Sequence, residues 1–248
     1  MRLSTIPCAV AGMLAVLGTA AAASADFTEQ FETLPTPTLG TPPGTALALP
    51  SGDWFFVNNS DPLGSTGLSR LPSAAGGTTP FTVNPGDGDF YASMNFNNTS
   101  GVGTIDSFLM SPVLTFNNGD EISFITRAPT DATPTFPDRL IVKLSTAGAS
   151  TDASDFTMTL LTINPDLNTD AAAYPQTWTL FTATVSGLGG PTEGRFAFNY
   201  NVTNSGPSGT NGNLIGIDRV GYAAVPEPAA LGLLAAGGLL VLHRRRVA

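Results

Sequence analysis

Phe196, Phe198, Tyr200 and Val202 occupy every second position of one run, with Ala197, Asn199 and Asn201 between them. Successive side chains of a β-strand point to opposite faces, so this rhythm describes a strand with one buried face. A helix would instead repeat its apolar positions every three to four residues. Phe90, Ala92, Met94 and Phe96 keep the same period, as do Leu140, Val142 and Leu144 against Ile141 and Lys143. After the turn signal Asn117-Asn118-Gly119-Asp120, Ile122, Phe124 and Thr126 share a face. No helix-period segment lies between the two ends of the chain. The expectation is therefore an all-β, antiparallel two-sheet sandwich, since a parallel sheet would need crossover helices.

Taken in order, Asp26 to Glu32 reads as a first strand with Phe27 and Phe31 inward. Leu34 to Pro50 carries five prolines and reads as loop or covering segment. Trp54 to Val57 is a short aromatic strand. Asn58 to Pro85 is rich in Gly, Ser and Pro, with Leu68, Leu71, Phe81 and Val83 its only candidates for burial. Further strands are expected at Ile105 to Met110, Val113 to Phe116, Phe156 to Ile163, Trp178 to Val185 and Leu214 to Tyr222. In Trp178 to Val185 the alternation shifts between Leu180 and Phe181, the mark of a bulge. Asp152 to Phe156 suits one helical turn. There is no repeat of fixed period.

Both ends look like targeting segments. Arg2, an apolar stretch from Ile6 to Ala23 and the small residues Ala23-Ser24-Ala25 before Asp26 form a secretory signal peptide over residues 1–25. The body, 26–223, is long enough for one domain with a sizeable core. Over 224–248, Val225-Pro226-Glu227-Pro228 precedes an apolar run from Ala229 to Leu242, and His243-Arg244-Arg245-Arg246 follows. As a helix that run covers about 21 Å at about 1.5 Å per residue, short of the hydrocarbon core. Arg244, Arg245 and Arg246 would hold its far end on the cytoplasmic side. A permanent single-span anchor and a removable sorting signal both fit. The order of parts resembles the PEP-CTERM sorting signal of Gram-negative bacteria, with Pro226, Glu227 and Pro228 carrying the match. The resemblance implies transient membrane insertion through a C-terminal hydrophobic helix and processing by an exosortase-type enzyme. It also implies delivery to the cell surface or the extracellular matrix.

Chemistry is bounded by what the body lacks. The only cysteine, Cys8, lies in the leader and the only histidine, His243, in the tail. Residues between them cannot build a Ser-His-Asp triad, a Cys-His pair or a His-ligated metal centre. Four of the ten basic residues and one of the 19 acidic ones, Glu227, belong to the ends, which leaves six basic against 18 acidic residues. Nucleic acid is excluded as a partner by that balance, because phosphate contacts need clustered Lys and Arg. An acidic, lysine-poor surface suits hard cations and solubility outside the cell.

Several short stretches resemble the choice-of-anchor domain of the J type, akin to cleaved-adhesin and MAM-like modules. They are Phe31-Glu32, Ser111-Pro112-Val113-Leu114, Asp120-Glu121-Ile122-Ser123-Phe124, Asp138-Arg139-Leu140-Ile141-Val142 and Ile217-Asp218-Arg219-Val220. The resemblance implies a jelly roll that serves adhesion or polysaccharide contact without catalysis. It also implies a structural calcium where the first and last strands meet, with Glu32, Asp218 and Asp138 as ligands; solvated or Arg-paired carboxylates are the alternative. Pro85-Gly86-Asp87-Gly88-Asp89 reads as a turn that offers two more carboxylates. Trp54 and Tyr91 could form a sugar platform or belong to the core. Two rival functions stand beside adhesion: a purely structural matrix component, and a glycoside hydrolase working through two carboxylates.

Overall fold

The computed structural model describes residues 26–35, 44–72, 80–130 and 136–225. The leader, the sorting motif Pro226-Glu227-Pro228, the apolar run and Arg244 to Arg246 lie outside them. Among the described residues no helix is long and apolar enough to cross a membrane.

Among the described residues fourteen strands follow in chain order: β1 (Phe27–Glu29), β2 (Ala46–Leu49), β3 (Gly52–Asn58), β4 (Asp61–Leu63), β5 (Ser69–Pro72), β6 (Phe90–Asn95) and β7 (Thr99–Met110). Then come β8 (Leu114–Phe116), β9 (Glu121–Arg127), β10 (Leu140–Ser145), β11 (Met158–Ile163), β12 (Thr179–Thr184), β13 (Thr192–Ser205) and β14 (Leu214–Ala223). Every pairing between them is antiparallel. One sheet runs β12-β9-β14-β6-β5, with β1 also on β14. The other runs β11-β10-β13-β7-β3-β2, with β4 on β7 and β8 on β13. The fold is the expected antiparallel two-sheet sandwich. Asp152 caps a single 3-10 turn at Ala153–Asp155, where one helical turn was expected.

The core fills the space between the sheets. Phe196, Phe198, Tyr200 and Val202 of β13 face Ile122 and Phe124 of β9, Met94 of β6 and Ile215, Ile217 and Val220 of β14 in one cluster. Phe124 meets Phe198 edge-on with ring centres 4.8 Å apart, a favoured aromatic geometry.

The bulge expected in β12 is absent: Thr179 to Thr184 pair with Thr126 to Glu121 without a shift. Phe181, Ala183 and Val185 point inward, while Leu180 is 64% exposed on an edge strand. An outward leucine, and not an extra residue, produces the apparent change of phase. Register shifts occur instead at Val142/Lys143, Val202/Ser205 and Asp218/Gly221, and between Asp61 and Leu63.

The same register defines two poles. At one, β1 begins and β14 ends, with Phe27 opposite Tyr222. At the other, β13 ends and β7 begins, with Ser205 opposite Gly103.

Candidate functional site

β14 has β9 along one edge for nearly its whole length, but its other edge is shared. β6 pairs with Leu214 to Ile217, and β1 pairs with Val220 to Tyr222. Between the two lie Asp218 and Arg219. The backbone is irregular there: Arg219 has φ +49°, left-handed for a non-glycine residue. This break swings Asp218 into the gap where β1 and β6 meet end to end.

Asp218 is fully buried. Its Oδ1 accepts the Arg219 amide at 2.7 Å, whereas its Oδ2 has no hydrogen-bond partner. Three more carboxylates lie near enough for their charges to act on it. Glu29 accepts the Phe31 amide on Oε1 (2.8 Å) and the Ser51 hydroxyl on Oε2 (2.6 Å). Glu32 accepts the amides of Asp89 and Phe90 on Oε1 at 3.0 and 3.1 Å. Asp87 accepts the Asn84 side-chain amide on Oδ2 and lies 3.6 Å from the Arg219 guanidinium through Oδ1. The turn that carries Asp87 closes on Glu32 so tightly that a Cβ at Gly88 (φ +94°) would collide with the Glu32 carboxylate. Burial, followed by the charges of Asp87, Glu32 and Glu29, pushes the Asp218 acid up to about 8, against a partial lowering by the Arg219 amide.

Two of the three expected calcium ligands, Glu32 and Asp218, thus share one site. Asp138 does not. It is buried beneath the other pole, where its Oδ1 accepts the Tyr200 hydroxyl (2.5 Å) and the Asn213 amide (2.9 Å). It bonds the residue ahead of the start of β14, whereas Asp218 lies further along that strand. Glu29 and Asp87 stand where the resemblance placed Asp138. Among the described residues no group of three or more acidic side chains is in a metal-ligating arrangement. A hard cation would use the bare Asp218 Oδ2, neighbouring carboxylates and backbone carbonyls.

The expected sugar platform is corrected. Trp54 and Tyr91 are both fully buried, so neither ring can stack on a sugar. Trp54 packs edge-on against Phe31 and Phe196, at 5.4 and 5.8 Å, and donates its indole N–H to Ser51 Oγ at 2.9 Å. Because Ser51 in turn donates to Glu29, the tryptophan buttresses the acidic site from the core side. Tyr91 stacks on Phe81 at 4.9 Å and meets Trp178 edge-on. Gly216 lets that aromatic cap sit on bare backbone: a Cβ there would come within 2.8 Å of Phe81 and Trp178.

Sequence reasoning missed Glu29, Ser51 and the partnership of Asp87 with Asp218. Glu29 had one signal: it precedes the Phe31-Glu32 pair by two residues, at the end of β1.

A groove of about 400 Å³ opens at the pole where the chain enters and leaves, lined by Asp26, Thr28, Ser123, Gly221 and Ala223 among others.

No family model matches the chain, and no curated protein does. Solved structures do. The fold is similar to the K1 cleaved adhesin domain of Lys-gingipain from Porphyromonas gingivalis, at 22% identity over 82% of this chain and 100% of that domain, with a TM-score of 0.50. The K3 cleaved adhesin domain of the same protein matches at 19% identity over 81% and 99%, with a TM-score of 0.45. A family 11 carbohydrate-binding module from Clostridium thermocellum matches at 11% identity over 70% and 90%, with a TM-score of 0.36. The likeness to K1 is one of fold.

Proposed function

We propose that the chain is an exported, non-catalytic surface or extracellular-matrix protein that contacts extracellular polysaccharide or a neighbouring cell. The observation that carries this reading is the placement of the chain's ends. Asp26 and Val225 leave the sandwich together, at one pole, as the 2.8 Å bond from the Ala224 amide to Asp26 requires. A domain tethered there holds its other pole outward, and loops on a rigid scaffold are where contacts concentrate. At that pole the paired strand ends of β4 and β7 carry Leu63 and Val102, 61% and 55% exposed. Two facts add support: the K1 domain with this fold is described as a cleaved adhesin domain, and residues 26–225 contain no His or Cys. Export and an exosortase-type partner rest on the leader and the sorting motif.

The test is binding of the full chain to the producer's own extracellular polysaccharide. We expect saturable binding that falls at least tenfold in the Leu63→Asp, Val102→Asp double variant while the unfolding temperature stays unchanged. Absence of saturable binding to any glycan would favour a purely structural matrix component. Release of reducing sugar would favour a hydrolase.

A structural calcium belongs to the same proposal. What supports it is the buried Asp218 Oδ2 without a hydrogen bond, with the charges of Glu29, Glu32 and Asp87 acting on it. Calcium takes six to eight oxygens, and carboxylates with backbone carbonyls and water supply that set. It would neutralise a repulsive cluster and lock β1 beside β6.

A further inference from the structure

The last described residues of the chain are built into the sandwich. β14 ends at Ala223, yet the next two amides are still held. The Ala224 N–H donates to Asp26 Oδ1 at 2.8 Å, and the Val225 N–H donates to Asp120 Oδ1 at 2.8 Å. Asp120 is fully buried, and its other oxygen accepts the Asn117 amide (2.7 Å) and the Tyr222 hydroxyl (2.6 Å). The Thr115 carbonyl lies 3.0 Å from the same hydroxyl. The Val225 side chain rests over Gly119, whose φ of +100° belongs to the turn that carries Asp120.

Two consequences follow. First, both oxygens of a buried carboxylate are engaged only while Val225 is in place; a chain cut before Val225 leaves Asp120 Oδ1 without that donor. Second, Asp26 is the first residue after the expected signal-peptide cut, and it is the acceptor for Ala224. The fold therefore uses the outermost residue at each end of the body. A cleaving enzyme needs its substrate extended and free of other hydrogen bonds, which for residues 222–225 requires local unfolding.

We propose that the sandwich itself sets the upstream limit of C-terminal processing: any cut that removes the segment beginning at Pro226 falls after Val225. This rests on the proposed exosortase-type partner, which would process the tail. Asp26 and Asp120 act as a clamp that holds Ala224 and Val225 on the domain.

The full chain, digested under native conditions with a broad-specificity protease such as proteinase K, tests the clamp through the mass of its limit fragment. The expected C terminus is Val225 or later. A native limit fragment that ends at Ala223 or earlier overturns the proposal. Asp26→Ala removes the acceptor for Ala224. Asp120→Asn turns one oxygen into a donor that opposes Val225 or Asn117. Both should move the limit into β14. If Asp120→Asn fails to fold, Asp26→Ala, at an exposed carboxylate, carries the comparison alone. An unshifted limit in every folded variant overturns the clamp. Mass spectrometry of the protein recovered from the producing cell separates the two readings. A chain still ending beyond Arg246 defeats tail removal, and a processed chain ending before Val225 defeats the proposal itself.

Discussion

Asp218 shows how a single carboxylate can couple a fold to its solution conditions. In the unfolded chain its acid titrates near the ordinary 3.8, but in the fold burial and its acidic neighbours raise it to about 8. Between those values the folded state keeps a proton that the unfolded state releases. Its contribution is therefore fully present below about pH 4 and is lost as pH rises through 8. In chelator, the unfolding temperature should fall across that window, and Asp218→Asn should flatten the fall. Calcium at millimolar concentration should raise the unfolding temperature of the native chain above pH 7 and leave Asp218→Asn unmoved; no shift in the native chain would exclude a tight site. Trp54 makes the complementary point. A fully buried tryptophan at the junction of β1, β3 and β13 is core, and Trp54→Ala should cost about 3–5 kcal/mol by chemical denaturation. A surface role would leave stability almost unchanged.

Strands differed in how openly the sequence announced them. β6, β9, β10 and β13 follow from alternation, although the fold also covers the second face of β6 and β13, where Tyr91, Ser93, Ala197 and Asn199 are buried. β2, β4 and β5 went unread because they are short and lie in proline-rich stretches; β4 contains Pro62 and β5 ends at Pro72. Proline is tolerated there since β5 is an edge strand and β4 pairs only with β7, so a missing N–H breaks no interior ladder. The other edge of that sheet, β12, misled for a different reason. Leu180 sits outward, where nothing in the core selects against it. Leu180→Lys should change stability by less than about 0.5 kcal/mol in thermal or denaturant unfolding, and it should lower any tendency of this edge to pair with another chain. A larger loss would mean that Leu180 is covered by a contact absent from the sandwich.

Over the whole molecule, the two poles divide the work. One gathers both ends of the body and the clamp on Val225; the other presents the strand ends of β4 and β7. The double variant Leu63→Asp, Val102→Asp tests that division directly, because binding and folding should separate. Composition and period alone determined the fold class and the absence of His and Cys from residues 26–225. Periodicity tells which side chains share a face of one strand. It carries no information on which strand lies next to it. Only the tertiary structure could bring Asp26 to Ala224 across 198 residues and collect Glu29, Glu32 and Asp87 near Asp218. It alone removed Asp138 to the far pole and sank Trp54 and Tyr91 into the core, because each outcome depends on long-range pairing in which burial and hydrogen bonding are settled together.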